Sequence, residues 1–490
     1  MSLDTRPLRL QQRLPDALPT RRTAPPTRRT APRGTPRYVN RHYPKRMRLA
    51  DTLQVLCIVS VALAVALFLG SGGAARFGTP ADALTSIGIV TGLVGTDLLL
   101  VMLLLAARLP AIDRAFGHDS AMALHQSLGK PALYLILAHA VFLIVGYALS
   151  SEVNVFAETW SMLTEMPDML LAFIALGLLV LVVVTSLVIV RHRLPYEVWH
   201  IVHLLSYVAV LAALPHMLTA GTVLVAGSPQ WYYWLALYAG VAGSILVFRV
   251  VLPIVRSLRS RLVVAGIDRE AAGVVSIRLS GRRLHQLQAS SGQFFIWRFW
   301  TPGLWWQAHP FSLSAAPAHN SLRVTVRALG DGSTDLASVP VGTRVSFEGP
   351  YGLFTDRART SPRIVLVAAG IGVAPIRALL ETATFAPGQA TVLLRSHSVA
   401  DSYLVEELAE LCRVRGAELR IITGKRAPGA HSWLPGDAVN ARISLKTLVP
   451  NLGESDVYIC GPRRWTDEVV RDARSAGLPP QQIHFERFDW

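Results

Sequence analysis

Cysteine is nearly missing from this 490-residue chain: only Cys57, Cys412 and Cys460 occur. Cys57 lies in an apolar run and the other two in a more polar half, so neither a disulfide framework nor a cysteine-based zinc spacing exists. Charge is thin as well. Charged residues make up 16% of the sequence against 51% hydrophobic ones, and the mean hydropathy is +0.39. That balance excludes an ordinary soluble protein and points to membrane spans. The net charge of +16 is unevenly placed, and acid is rarest at the start, where residues 1–50 hold only Asp4 and Asp16 among many arginines. This stretch is rich in Pro, Arg and Thr, with TRRTAP at 20–25 and again at 27–32. It cannot build a core and reads as a disordered basic cytoplasmic tail. Two roles are open to it: an arm for anionic lipid headgroups, or a signal that orients the chain. No folded basic module accompanies it, so nucleic acid is not an expected partner. No inverted repeat or pair of broken apolar segments marks a transporter.

Six apolar stretches are present, roughly 53–70, 84–106, 120–149, 169–190, 197–218 and 231–252, each long enough to cross the hydrocarbon core. The first ends in GSGGAA, faintly like a signal-peptide cleavage site. About 50 residues precede it, too many for an ordinary leader, so an uncleaved first span is expected. The loops sort by charge. Arg108, Arg114, Lys130, Arg191, Arg193, Arg249, Arg256, Arg259 and Arg261 fall on one side, whereas the other side holds Arg76 with Glu152, Glu158, Glu165 and Asp168. The positive-inside rule then places both termini in the cytoplasm, in the cell membrane.

The third and fifth spans carry four histidines. His125 and His139 are 14 positions apart, and His203 and His216 are 13 apart. At about 1.5 Å per residue each pair spans roughly 20 Å along its helix. Two such helices side by side would clamp two stacked haems, with His125 paired to His203 and His139 to His216. Ionisable groups within a bilayer are costly and mark functional paths. A spacing of 14 returns a side chain to nearly the same helix face; a spacing of 13 does not. Pro215 can bend the helix beside His216 and re-aim it, and His200, one turn below His203, is the alternative inner ligand.

After Arg261 long apolar runs give way to short alternating segments, which read as a small antiparallel barrel. From about residue 362 strands alternate with helical stretches, which implies a parallel sheet. The turn Gly370-Ile371-Gly372-Val373-Ala374-Pro375 leaves a strand and opens a helix, where glycines permit close approach of a pyrophosphate. Pro375 stands in place of a third glycine and suits an early helix position.

In order along the chain come His309-Pro310-Phe311-Ser312-Leu313-Ser314, Gly332-Ser333-Thr334, Gly349-Pro350-Tyr351-Gly352, the GIGVAP turn, and Cys460-Gly461-Pro462. Together they resemble the flavin and nicotinamide modules of the ferredoxin–NADP reductase superfamily. Joined to six spans with paired histidines, the chain from about residue 51 onward resembles the NADPH oxidase/ferric reductase family. The expected organisation is the tail at 1–50, a six-helix haem-binding transmembrane bundle at 51–255, an antiparallel β-barrel FAD domain at 256–358, and an α/β parallel-sheet NAD(P)H domain at 359–490.

The resemblance implies a site. Phe311 would lie along the isoalloxazine, Ser312 would bond near the flavin N5, and His309, where the superfamily has Arg, would assist the FAD phosphates. Gly332, Ser333 and Thr334 would cradle the pyrophosphate. Cys460 would line the nicotinamide pocket with Gly461 and Pro462. The segment His484–Trp490 resembles the family's closing acid-plus-aromatic motif, with Glu486 as the acid and either Phe488 or Trp490 as the aromatic shield. Trp297, Trp300, Trp305 and Trp306 could face the membrane or the inner haem, or serve barrel packing. Arg395, Ser396, Lys425 and Arg426 follow strands where cations suit a 2′-phosphate, which favours NADPH over NADH. The expected activity is electron transfer from cytosolic NADPH through FAD and two b-type haems to an external acceptor. Chelated ferric iron is slightly preferred to dioxygen giving superoxide, because the outer loop is acidic. The alternative is a membrane electron donor to a docked redox partner protein.

Overall fold

A computed structural model describes residues 42–219, 225–328, 334–398, 401–426, 429 and 431–488. The chain divides into two compact units, one of Arg46–Pro253 and one that gathers Ile254–Trp490 with the residues up to Lys45.

The first unit is helical. It contains α1 (His42–Gly70), α2 (Pro80–Ala106), α3 (Pro110–Phe116), α4 (His118–Ser150), α5 (Val155–Glu165), α6 (Met169–Ser186), the single turn α7 (Val188–Arg191), α8 (Tyr196–Thr219) and α9 (Pro229–Ile245). A π-turn, Leu246–Val251, carries α9 on into α10 (Leu252–Ser260). Among the described residues six helical segments are long and apolar enough to cross a membrane: α1, α2, α4, α6, α8 and the continuous α9–α10. They coincide with the six stretches read from the sequence. One boundary moves. Helix α1 is described from His42 onward, so residues 42–50 are helical rather than tail. Lys, Arg, Met, Leu and Ala favour the helix there. The remainder of the expected tail lies outside the described residues.

Local chemistry sets the helix starts. Thr79 accepts the Asp82 N–H at 3.1 Å, with Pro80 following it, and Ser228 accepts the Trp231 N–H at 3.2 Å, with Pro229 following. Glycines then let α2 and α4 approach. A Cβ on Gly92 would sit 2.3 Å from His139 Nδ1, and one on Gly95 would sit 2.9 Å from Ile136 Cδ1. On the other face of α2, buried Asp97 accepts a 3.0 Å hydrogen bond from Ser60 Oγ of α1, and Tyr233 OH of α9 donates to the Ser60 carbonyl at 2.9 Å. This polar cluster fixes the register of three helices.

The second unit holds two β layers. Strands β1 (Val263–Ala271), β2 (Val274–Ser280), β3 (Phe294–Phe299), β4 (His309–Ser312), β5 (Ser321–Arg327) and β6 (Val345–Tyr351) form two three-stranded antiparallel sheets, ordered β1-β2-β5 and β4-β3-β6. Single antiparallel bridges, Val263–Arg344 and Leu313–Val324, join the sheets at both edges. The ring order is therefore β1-β2-β5-β4-β3-β6. Phe295, Trp297, Phe299 and Phe347 fill its core.

Strands β7 (Arg363–Ala369), β8 (Ala390–Arg395), β9 (Glu418–Ile422), β10 (Ser455–Pro462) and β11 (Ile483–Phe488) make a parallel sheet ordered β11-β10-β7-β8-β9. The chief helices of this layer are α11 (Val373–Thr382), α12 (Val405–Arg415) and α13 (Arg463–Ser475). Its central strands read RIVLVAA and DVYIC because both faces are covered.

Candidate functional site

The membrane unit brings the four histidines together as two facing pairs. The His125 and His203 ring centroids are 6.1 Å apart, and those of His139 and His216 are 6.5 Å apart. A metal held between two imidazole nitrogens at about 2.0–2.1 Å each separates the centroids by roughly 6 Å. His125 Nδ1 is 3.0 Å from the Met102 carbonyl and His139 Nδ1 is 2.8 Å from the Gly88 carbonyl, which leaves each Nε2 for a metal. His203 Nδ1 is 3.3 Å from Ser186 Oγ, whereas His216 Nδ1 is buried with no hydrogen-bond partner among the described residues. Beside the first pair lies an apolar slot lined by Leu99, Met102, Leu133, Leu179, Val182 and Val210, with His125 and His203 at its wall. The ring opposite His125 belongs to His203; His200 stands 6.4 Å from the Trp199 ring instead. The awkward spacing of 13 therefore still delivers both rings, with Pro215 inside α8 next to His216. Among the described residues no group of three His, Cys, Asp or Glu side chains is arranged to hold a bare ion.

In the second unit, residues far apart in sequence meet around a cleft. It is lined by Pro310, Phe311, Ser312, Thr325, Arg327, Ile371, Pro375 and Phe488, among others. Ser312 Oγ, at the end of β4, donates to Glu486 Oε2 at 3.2 Å. The β10–β11 register sets Cys460 opposite Glu486 and Pro462 opposite Phe488. Cys460 is fully buried, and a Cβ on Gly372 would meet its carbonyl oxygen at 2.2 Å, so the GIG turn and the Cys460-Gly461-Pro462 corner are pressed together. Only glycine permits that approach. Gly370 takes a φ of +56°, and α11 opens just beyond with Pro375 in its first turn.

His309 is buried, its ring lies 5.8 Å from Phe311 at 9°, and its Nε2 has no hydrogen-bond partner among the described residues. Burial, with Arg298 nearby, pushes this imidazole down to about 4. Trp297 belongs to the barrel core and donates from Nε1 to the Phe311 carbonyl at 3.1 Å, which holds the β4 motif in place.

The expected cation cluster comes out differently. Arg395 is turned inward, donating to the carbonyls of Trp433 at 3.3 Å, Gly424 at 2.7 Å and Ser396. Burial, and then the nearby Arg426, lower its pKa. Ser396 also faces inward, bonded to the Ser398 carbonyl at 2.8 Å and to Ser402 Oγ at 2.7 Å. The strand-end loops would otherwise bury bare carbonyls, and Arg395 satisfies them. Arg426 pairs with Glu468, and Lys425 is exposed. Thr334 is exposed at the start of a short helical turn; Gly332, Ser333 and Trp490 lie outside the described residues.

Sequence reasoning missed Arg327, which lines the cleft beside Tyr403 (5.9 Å to the ring), and the Glu407 network. Glu407 accepts both Arg323 guanidinium nitrogens at 2.9 Å and lies 2.8 Å from Arg377 Nε. The hydrogen bonds and charge of Arg323, with Arg377, hold its carboxyl below the usual range. These groups tie β5 to α11 and α12. The only sequence signal was two arginines alternating on β5.

Facing imidazoles in a helical membrane unit, joined to an antiparallel ring and a parallel sheet that share one cleft, define a class: a reductase module fused to a membrane domain. Comparison with known families agrees. The ferric reductase like transmembrane component family matches residues 91–214, an FAD-binding domain family matches 269–355, and an oxidoreductase NAD-binding domain family matches 366–471. This three-part arrangement is the architecture of the NADPH oxidase/ferric reductase family. Among curated proteins it is similar to a flavohemoprotein of Vibrio cholerae (28% identity, 36% of this chain and 45% of the relative). It is also similar to the toluate 1,2-dioxygenase electron transfer component of Pseudomonas putida (27% identity, 46% and 66%) and to an NADPH oxidoreductase of Mycobacterium tuberculosis (26% identity, 48% and 60%). The chain thus spans about half to two thirds of the length of the relatives it matches.

Proposed function

We propose that this protein is a membrane oxidoreductase that moves electrons from cytosolic NADPH to a one-electron acceptor on the opposite side. When bound, FAD would convert a hydride into single electrons, and two b-type haems would relay them across the bilayer. The observation that carries this reading is the pair of facing imidazoles at metal-bridging separation, in a chain that also carries a flavin-type cleft. His125 with His203, and His139 with His216, would hold the two irons. With two imidazoles committed to each haem, these residues would favour electron transfer to an acceptor that does not bind the metal.

In the cleft, Phe311 offers an aromatic face to the flavin ring. Ser312 presents a hydroxyl whose orientation is set by Glu486. Phe488 closes the cleft as the shield that nicotinamide displaces, and Cys460 lines the pocket behind it. The GIG turn and the start of α11 would receive the pyrophosphate of the nucleotide. With Arg395 and Ser396 committed to loop carbonyls, the contact with a 2′-phosphate falls to Lys425, with Arg426 beside it. The acidic residues Glu152, Glu165 and Asp168 around α5 favour a ferric chelate over dioxygen as acceptor.

Anaerobic NADPH added to FAD-loaded protein in nanodiscs should bleach the flavin and then give the reduced haem Soret spectrum. Flavin bleaching with no haem signal would reject transmembrane transfer. Ferric-chelate reduction that is insensitive to superoxide dismutase would support iron; dismutase-sensitive dye reduction would support dioxygen.

A further inference from the structure

Exposed apolar side chains in the Ile254–Trp490 unit are segregated. Beyond residue 260, the large exposed hydrophobics among the described residues are Trp300, Trp305, Trp306, Val341 and Val414. Trp300 and Val341 lie beside the strand that receives the end of α10, and Trp305 and Trp306 share the loop of Trp300. The final turns of α10 are fastened to β6: Arg256 donates to the Gly349 carbonyl at 2.8 Å, and the Phe347 N–H donates to Ser257 Oγ at 3.1 Å. Trp300 Nε1 donates to Ser346 Oγ of the same strand at 3.0 Å, and its N–H donates to the Arg344 carbonyl at 2.9 Å. Val341 lies on the neighbouring turn, where the Gly342 N–H donates to the Val264 carbonyl at 2.8 Å just inside β1. The tryptophan loop is rigidly presented: Leu304 plugs into the barrel core, while Trp300, Trp305 and Trp306 remain 58%, 56% and 49% exposed.

The surrounding charge has one sign. Arg259, Arg261, Arg282, Arg283 and Arg344 are all exposed, and the Arg282 N–H donates to the Ser260 carbonyl at 2.7 Å at the helix end. Segments 254–262, 281–284, 299–308 and 340–346 contain no Asp or Glu. Indole rings favour the membrane–water boundary, and arginines beside them favour anionic headgroups.

We propose that the Trp300–Trp306 loop inserts into the interfacial layer of an anionic bilayer and anchors the reductase module beside its tethering helix. This rests only on the chain being membrane-spanning and holds whether or not electrons cross. The test uses the full chain in nanodiscs, with a nitroxide at Pro302→Cys or, as a control, Val414→Cys, in a Cys57→Ser background; Cys412 and Cys460 are buried. The label at 302 should collide more with oxygen than with a water-soluble nickel chelate, and more so when phosphatidylglycerol is added to phosphatidylcholine. The label at 414 should favour nickel. Adding Trp305→Ser and Trp306→Ser should return the 302 label to water with flavin content unchanged. A 302 label as nickel-accessible as the one at 414, or shielded from both reagents by protein, would overturn the proposal. So would a depth unaffected by loss of the two indoles or by anionic lipid.

Discussion

The membrane unit and the reductase unit build their sites in opposite ways. In the first, function is written along two helices. His125 and His139 share α4, His203 and His216 share α8, and each ring is faced by one from the other helix, 77 or 78 positions away. In the second, the cleft is assembled from strand ends far apart in sequence, such as Ser312 and Glu486, 174 positions apart. A helical site therefore depends on close packing of its helices, and a strand-end site depends on register. Substitutions should respect that difference.

The largest expected effect is in the membrane. His139→Leu and His216→Leu should each remove one haem of two and abolish external reductase activity while NADPH-to-flavin transfer persists. Gly92→Ala should resemble them, because its new Cβ would meet His139 Nδ1. A pyridine haemochromogen assay gives the count, and an unchanged count in Gly92→Ala would break the claim that packing governs this site. Next comes the cleft: Ser312→Ala and Glu486→Gln should slow hydride transfer by about 10²-fold or more, with haem content intact, in stopped-flow flavin reduction.

The nucleotide cations should then separate. Lys425→Ala should raise the KM for NADPH with little change for NADH. Arg395→Ala should instead lower thermal stability with either nucleotide, since removing it strands buried carbonyls at about 1–3 kcal/mol. An Arg395 variant that lost only NADPH preference would return this residue to the ligand.

The last effect is a pH dependence, confined to acid conditions. His309 takes a proton near pH 6.5 when unfolded and near 4 when folded, so the unfolded state binds more protons between these values. The stability contributed by neutral, buried His309 is complete above pH 6.5. It is lost as pH falls towards 4, by an amount on the order of a few kcal/mol. His309→Gln should flatten this acid limb in thermal melts and leave the neutral region unchanged.

The same contrast governs how much could be read beforehand. Hydropathy marked all six spans, and histidine spacing marked the pairs, because a helix converts sequence distance directly into space. The Ser312, Glu486 and GIG positions were legible through ordered motifs whose neighbours the parallel sheet brings together. Whether Arg395 points out or in was not legible, since that depends on loop carbonyls supplied from residues 424 and 433. The Glu407 network was equally hidden, because it joins residues 84 positions apart. Asp97 is a different case. A lone acid in an apolar run carried a readable signal that was overlooked, and the structure gives it a partner on α1.

Strand β6 receives the last turn of the membrane helix at Gly349 and ends where Gly352 lies against Glu486, a Cβ there falling 3.3 Å from Oε1. Strand β6 therefore runs from the end of α10 to the Ser312–Glu486 cleft, so a shift at either end has a short, hydrogen-bonded path to the other.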